Sequence, residues 1–137
     1  MTENIRLEIV TPVKNVVSED AQIIMAPGIL GEFGVLVGHT PFLTALKTGA
    51  ITYKDVDGKE RYVFVNGGFA EALPDKVTIL AESAERRSDI NISRAEKAKA
   101  RALKRLEDYD KQDEVDFIRS KAALQRAVNR INLAQNI

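Results

Sequence analysis

The sequence predicts an antiparallel β-sandwich followed by a C-terminal antiparallel two-helix hairpin. All eight glycines and all four prolines lie at or before Pro74 of the 137 residues. Up to that point short apolar segments alternate with turn residues, which is typical of antiparallel sandwiches and barrels. From residue 88 onward Ala, Arg and Lys dominate, and apolar residues recur at the spacing of a helix. We therefore expect a sandwich domain over 1–85 and a helical domain over 86–137.

The first strand is predicted at 5–9, because Ile5, Leu7 and Ile9 alternate with charged residues. The same reasoning predicts further strands at 13–17, 21–26, 35–37, 42–46, 50–54, 61–65, 69–73 and 77–81. Ser18-Glu19-Asp20 is turn-prone and is predicted to separate the second and third strands. Asp57-Gly58 between two β-rich segments predicts a hairpin.

Two helices are predicted after residue 88. Asn91 or Ser93 can cap the first, the latter with Glu96 as a capping box. An acidic segment, 107–116, is expected to end this helix, and Asp113 is expected to cap the second. The predicted apolar stripes consist of Ile92, Ala95, Ala98, Ala102, Leu103 and Leu106 in the first helix and of Phe117, Leu124, Ala127, Val128, Ile131 and Ala134 in the second. Two helices with so short a connection form an antiparallel hairpin.

The stretch 28–42 holds half of the glycines and the only histidine, His39. Its glycines recur between large apolar residues, which predicts a chain that turns sharply while burying those side chains. These residues are Gly28, Gly31, Gly34 and Gly38, and Leu30, Phe33, Leu36 and Phe42. A Walker-type phosphate loop needs a lysine and a hydroxyl after its last glycine, and Gly38 is followed by His39-Thr40. On the residues alone the stretch is a packed β-corner.

The charges are distributed unevenly along the chain. Twenty basic residues balance twenty acidic ones, but residues 1–85 carry −5 and residues 86–137 carry +5. Such asymmetry indicates an oriented partner. The basic helices are compatible with a solvated surface, an acidic protein partner, a polyphosphate or nucleic acid. Few aromatic residues lie between these charges, which disfavours nucleic acid.

The sequence shows no self-contained catalytic or metal site. It has no cysteine, no Gly-x-Ser-x-Gly motif, and nothing at ligand spacing around His39. We expect His39 to be a packing or interface residue. The N-terminus lacks an apolar signal core, and no apolar run reaches the length of about 18 residues that spans a membrane. The sequence predicts a protein that is soluble or peripheral to a membrane.

The string Gly-Glu-Phe-Gly-Val-Leu-Val-Gly-His-Thr-Pro-Phe over 31–42 closely resembles the signature loop of the ε subunits of F-type ATP synthases, and the resemblance extends from Leu7 to about Leu133. It implies a non-catalytic rotor-stalk subunit that couples proton flow to ATP synthesis and restrains ATP hydrolysis through its C-terminal helices. The implied partners are the γ subunit, the membrane c-ring and the α/β catalytic head. The implied location is peripheral, on the cytoplasmic side of the bacterial plasma membrane.

The resemblance also assigns residues. It places Gly31, Glu32, Phe33 and Gly34 near the membrane ring and His39 near γ. The candidates for contact with the catalytic head are Arg94, Arg101, Arg119, Arg126 and Arg130.

Some family members bind ATP through an Ile/Leu-Asp-x-x-Arg-Ala motif, which here reads Ile90-Asn91-Ile92-Ser93-Arg94-Ala95. An amide replaces the carboxylate, so at most weak ATP binding is expected and no resident cofactor. The residues matching that site are Glu85, Asn91, Arg94, Arg101, Arg126 and Arg130. Two rival functions remain, a stand-alone ATP-sensing domain and a nucleic-acid-binding adaptor that uses the basic hairpin.

Overall fold

The computed structural model describes residues 3–108 and 113–135. The chain divides into two compact units, with the boundary between Arg87 and Ser88. We call the first unit the sandwich and the second the hairpin, and each is described by itself.

The sandwich contains nine strands in its described residues. They are β1 Ile5–Val10, β2 Asn15–Gly28, β3 Gly31–Val35, β4 Phe42–Leu46, β5 Gly49–Asp55, β6 Glu60–Val65, β7 Gly68–Ala72, β8 Lys76–Leu80 and β9 Ala84–Arg86. Their hydrogen-bonded order in the sheet is β1-β8-β7-β4-β2-β5-β6-β9. Strand β3 also pairs with β2, and an additional pairing joins β1 to β2. The described pairings are antiparallel except β1–β8. The predicted β-sandwich is confirmed, and the parallel β1–β8 pair is an exception to its antiparallel pattern, which the long chain between these strands permits.

Strand β2 runs without a break through Ser18-Glu19-Asp20, so the predicted turn there is wrong. The three polar side chains find cross-strand partners instead. Arg6 of β1 donates to Ser18 Oγ at 2.7 Å and pairs with Asp20 at 3.5 Å. Glu19 accepts a hydrogen bond from the Tyr53 hydroxyl of β5. With these partners, the segment stays extended and pairs with β1 along its length.

The glycine-rich stretch is itself a strand at its start. Strand β3 ends at Val35, so the strand predicted over 35–37 is misplaced. It pairs with β2 from Gly28↔Gly31 to Ile24↔Val35. Strand β9 was not predicted. It has three residues, and it adds to the edge of β6.

The core lies between the layers of the sandwich. Ile5, Leu7 and Ile9 are each 0% exposed, as their alternation predicts, and Tyr53 is the largest side chain of the core cluster. The outward residues of β1 are exposed or half-buried. Alternating burial of this kind fixes the register of each strand.

The hairpin consists of α1 Ile92–Glu107 and α2 Glu114–Gln135, which pack against each other as an antiparallel pair. Asn91 caps α1, since its Oδ1 accepts a hydrogen bond from the Arg94 N–H at 3.0 Å. Ser93 lies inside the first turn, so the alternative capping box is wrong. The predicted cap Asp113 is confirmed, because its Oδ1 accepts from the Asp116 N–H at 2.8 Å. The predicted acidic connection includes 109–112, which lie outside the described residues.

Small side chains form the buried seam of the hairpin. The residues of α1 and α2 that the structure describes as buried are Ala95, Ala102, Ser120 and Ala127. The two buried residues of each helix are seven residues apart, which places them on the same side of that helix. Ile92 and Leu103, predicted for the apolar stripe, are 37% and 42% exposed. Alanine buries little apolar area, so the seam adds little to stability.

Candidate docking surfaces

The turn between β2 and β3 exposes apolar side chains. Leu30 is 97% exposed and Ile29 is 63% exposed. Leu36, just after β3, is 56% exposed. The prediction that Leu30 and Leu36 are buried is therefore wrong, because the glycines turn the chain outward at these positions. Adjacent exposed apolar side chains are typical of surfaces that contact another protein.

The loop that follows β3 is held to the sandwich by its backbone. The Gly38 N–H donates to the Pro74 carbonyl at 2.7 Å, and the His39 N–H donates to the Leu36 carbonyl at 3.2 Å. Gly38 has φ of +83°, a conformation that glycine adopts without strain. The loop therefore has a defined path although it is exposed.

Three aromatic rings connect this loop to β3 and β4. The rings of Phe33 and Phe42 meet edge to face, with centroids 5.1 Å apart and an interplanar angle of 83°. The His39 ring meets Phe42 at 4.9 Å and 67°. Phe33 and Phe42 also pack against the core. The structure thus brings the predicted site residues Phe33 and His39 together through Phe42, which was not predicted from the sequence as a site residue.

The remaining residues of the predicted ring-facing set lie along β3. Glu32 is exposed and pairs with Pro27 of β2, and Gly31 is also exposed. Gly34 lies opposite Met25, and a Cβ on it would be 2.7 Å from the Met25 sulfur. The glycine at this position therefore makes room for the half-buried Met25 side chain.

Arg86 ties the last strand to the body of the sandwich, a role not predicted from the sequence. Its Nε donates to the Val16 carbonyl at 3.2 Å, its Nη1 donates to the Tyr53 hydroxyl at 3.3 Å, and its Nη2 lies 3.7 Å from Glu19. Burial, helped by the Glu19 hydrogen bond, raises the pKa of Tyr53 to about 12. The Arg87 guanidinium lies over the Tyr62 ring at 5.6 Å. Both residues before the unit boundary are thus fixed to the sandwich.

The predicted arm arginines share one broad face of the hairpin. In α1, Arg94 and Arg101 directly precede the seam residues Ala95 and Ala102. In α2, Arg119 and Arg126 precede Ser120 and Ala127 in the same way, and Arg130 follows Arg126 by one turn. Residues that directly precede the seam of two antiparallel helices point to the same side. Arg94, Arg101 and Arg119 are exposed, and Arg126 and Arg130 are half-buried.

The residues of the predicted nucleotide site divide between the two units. Glu85 lies in β9 and pairs with Phe64 of β6, whereas Asn91 and the four arginines of that set belong to the hairpin. The Asn91 side-chain oxygen is occupied as the helix cap. The arginines lie on one face, which is an arrangement suited to an anionic ligand or surface.

Among the described residues no group of three or more His, Asp or Glu side chains is arranged to hold a metal ion. The described helices also include none that is long and apolar enough to cross a bilayer.

Comparison with known proteins covers nearly the whole chain. The beta-sandwich domain of the ATP synthase Delta/Epsilon chain matches residues 4–87, and the long alpha-helix domain of the same chain matches residues 88–135. The ATP synthase epsilon chain of Desulforapulum autotrophicum is 60% identical over 98% of both chains. That of Nitratidesulfovibrio vulgaris is 53% identical over 99% of both.

A chain in a cryo-EM structure of the Euglena gracilis mitochondrial ATP synthase, which contains OSCP, F1 and the c-ring, has the same fold. The TM-score is 0.79 at 24% identity, over 92% of this chain and 78% of that one. The chain therefore belongs to the ATP synthase delta/epsilon family, among its bacterial epsilon chains.

Proposed function

We propose that this chain is a non-catalytic subunit of the central stalk of a proton-translocating ATP synthase. Its sandwich joins the γ subunit to the membrane c-ring, with Gly31, Glu32, Phe33 and Gly34 toward the ring and His39 toward γ. It is peripheral to the plasma membrane, on the cytoplasmic side. We expect no nucleic acid among its partners.

The observation that carries this proposal is the exposure of apolar side chains at both ends of β3, with Ile29 and Leu30 in the β2–β3 turn and Leu36 just after the strand. Exposure of such side chains is costly in water, and burial in an interface recovers about 25 cal/mol for each Å² of apolar area. Backbone hydrogen bonds of Ile29 to Ala45 and of Gly38 to Pro74 hold the two loops that carry these residues, so little ordering is needed on binding.

The test of docking is retention of the chain by its complex. A tagged γ subunit should retrieve the full chain, and failure to do so would refute the proposal. Washed membranes that carry the assembled enzyme should retain the Leu30→Ser variant less well than wild type. Val56→Ser is the matched control, since Val56 is 53% exposed in the β5–β6 turn, away from β3. Equal losses for the two variants would count against a specific surface.

The helical arm is proposed to restrain ATP hydrolysis by contact with an acidic part of the α/β catalytic head. The support is the common face of Arg94, Arg101, Arg119, Arg126 and Arg130. Removal of residues 88–137 should then raise hydrolysis by the assembled enzyme, and an unchanged rate would show that the arm does not act as a brake.

Charge reversal distinguishes an effect of the arginine face from an effect of the net charge of the hairpin. Arg119, Arg126 and Arg130 changed together to Glu should raise hydrolysis, because the acidic partner would then be repelled. Lys97, Lys104 and Lys121 changed to Glu alter the net charge equally on other faces of the helices and should have a much smaller effect. Equal effects of the two sets would refute the assignment of the face.

A further inference from the structure

His39 is held in one orientation by two contacts. Its Nδ1 lies 2.6 Å from the Thr40 carbonyl oxygen, and its ring meets that of Phe42 in a T-shaped contact. A carbonyl oxygen only accepts, so Nδ1 must be the donor. In the neutral ring this leaves the other nitrogen, Nε2, as an acceptor.

Nε2 is free to meet a partner. Within 3–108 and 113–135 it has no hydrogen-bond partner, and no buried side-chain nitrogen or oxygen there is unsatisfied. Because His39 is half-buried, Nε2 must therefore be open to solvent. A group that binds it in the neutral ring has to be a hydrogen-bond donor.

Phe42 occupies the middle of this arrangement. Its ring contacts both Phe33 and His39 in T-shaped arrangements and packs against the core. Phe33 in turn lies over Gly28, where a Cβ would come within 3.0 Å of the Phe33 ring. The position of His39 thus depends on Phe42 and, through it, on Phe33 of β3.

We propose that Phe42 is a positioning residue for docking: it fixes the direction in which His39 Nε2 is offered to a hydrogen-bond donor on the stalk partner. The proposal rests on the proposed function in that the partner is taken to be γ. Without the Phe42 ring, His39 samples other rotamers, and the order needed for docking must be supplied on binding.

The experiment measures the affinity of the full chain for the catalytic assembly with γ but without its own epsilon chain. Ring contacts of this kind correspond to a change in Kd of about two- to tenfold. Phe42→Leu should raise Kd by that factor. The matched control is Phe69→Leu, since Phe69 is 56% exposed and has no ring contact among the described residues. It should leave Kd within about twofold.

A double-mutant cycle shows whether Phe42 acts through His39. His39→Ala alone and His39→Ala with Phe42→Leu should have the same Kd, because there is no longer an imidazole to position. Additive effects would overturn the proposal, as would a wild-type Kd for Phe42→Leu. Urea unfolding of each variant verifies that the compared chains are folded, and Phe42→Met, whose flexible side chain fills the same space, replaces the leucine variant if that one is unfolded. Absence of binding by the wild-type chain would refute the proposed function instead.

Discussion

Two glycines of the stretch 28–42 should respond differently to the same added methyl group. In Gly28→Ala the new Cβ would lie 2.7 Å from the Gly31 carbonyl oxygen and 3.0 Å from the Phe33 ring. The carbonyl is fixed by β2–β3 pairing and the ring by Phe42, so neither neighbour can move away cheaply. In Gly34→Ala the nearest atom, at 2.7 Å, is the sulfur of Met25, in a flexible side chain. Neither glycine has a positive φ, so the two cases differ in space alone.

Overpacking of a fixed site costs about 1–3 kcal/mol, and the lower entropy of the unfolded alanine chain offsets about 0.5–1 kcal/mol of it. Because the new methyl group meets two fixed neighbours, we expect the upper part of the overpacking range, about 2–3 kcal/mol, so Gly28→Ala should lower the free energy of unfolding of the sandwich by about 1–2.5 kcal/mol. For a domain of this size that corresponds to a Tm lower by roughly 5–20 °C. Gly34→Ala should change the free energy of unfolding by less than about 0.5 kcal/mol, since Met25 can adopt another rotamer.

Near-UV circular dichroism during thermal unfolding is the assay, because six of the eight aromatic residues lie in the sandwich. Equal Tm values for the two variants would refute the reasoning from the fixed carbonyl and ring.

The remaining predictions concern Asp55 and Asn91. The hydrogen bond from the Lys59 N–H, together with the Arg61 guanidinium, holds the pKa of Asp55 below its usual range. The stabilisation by ionised Asp55 is therefore present above its unfolded pKa of about 3.9 and is lost as the pH falls through the lower pKa of the folded state. Asp55→Asn should accordingly make the free energy of unfolding less dependent on pH on the acid side. An unaltered pH dependence on that side would contradict this. Asn91→Ala should destabilise α1 by about 1 kcal/mol through loss of the cap, read as helical ellipticity during unfolding. Submillimolar ATP should hardly raise the Tm of the wild-type chain. Asn91→Asp keeps the cap and should enlarge the rise in Tm caused by ATP. A large rise in the wild-type chain would show that the arginines suffice to bind ATP without the carboxylate.

The strands with regular alternation could be predicted from the sequence, and the polar interruptions could not. Ile5, Leu7 and Ile9 are buried as their spacing indicates. Ser18-Glu19-Asp20 resembles a turn because its cross-strand partners, Arg6 and Tyr53, are distant in sequence. Local pattern carries no information on such partners, and the same holds for β9, whose three residues depend on pairing with β6.

For the candidate surfaces, the sequence located the residues but not their arrangement. The signature string marks the loop, yet the contact between His39 and Phe42 depends on the path of the chain around Gly38. Leu30 was predicted to be buried because large apolar residues between glycines are typical of packed corners, and the sequence alone does not show that this side chain points outward. The cap at Asn91 was one of two local alternatives, and only the start of α1 at Ile92 distinguishes them.

The parallel β1–β8 pair has a consequence for synthesis of the protein. Arg6 of β1 pairs with Lys76 of β8, so the sheet path cannot close until about seventy further residues have been made. At about 5–20 residues per second that delay is roughly 4–14 s. Strand β1 has β2 as a local partner in the meantime, and the β1–β2 pairing covers one of its edges early. The other edge waits for β8, so a nascent chain stalled before residue 76 would expose β1 to pairing with other chains.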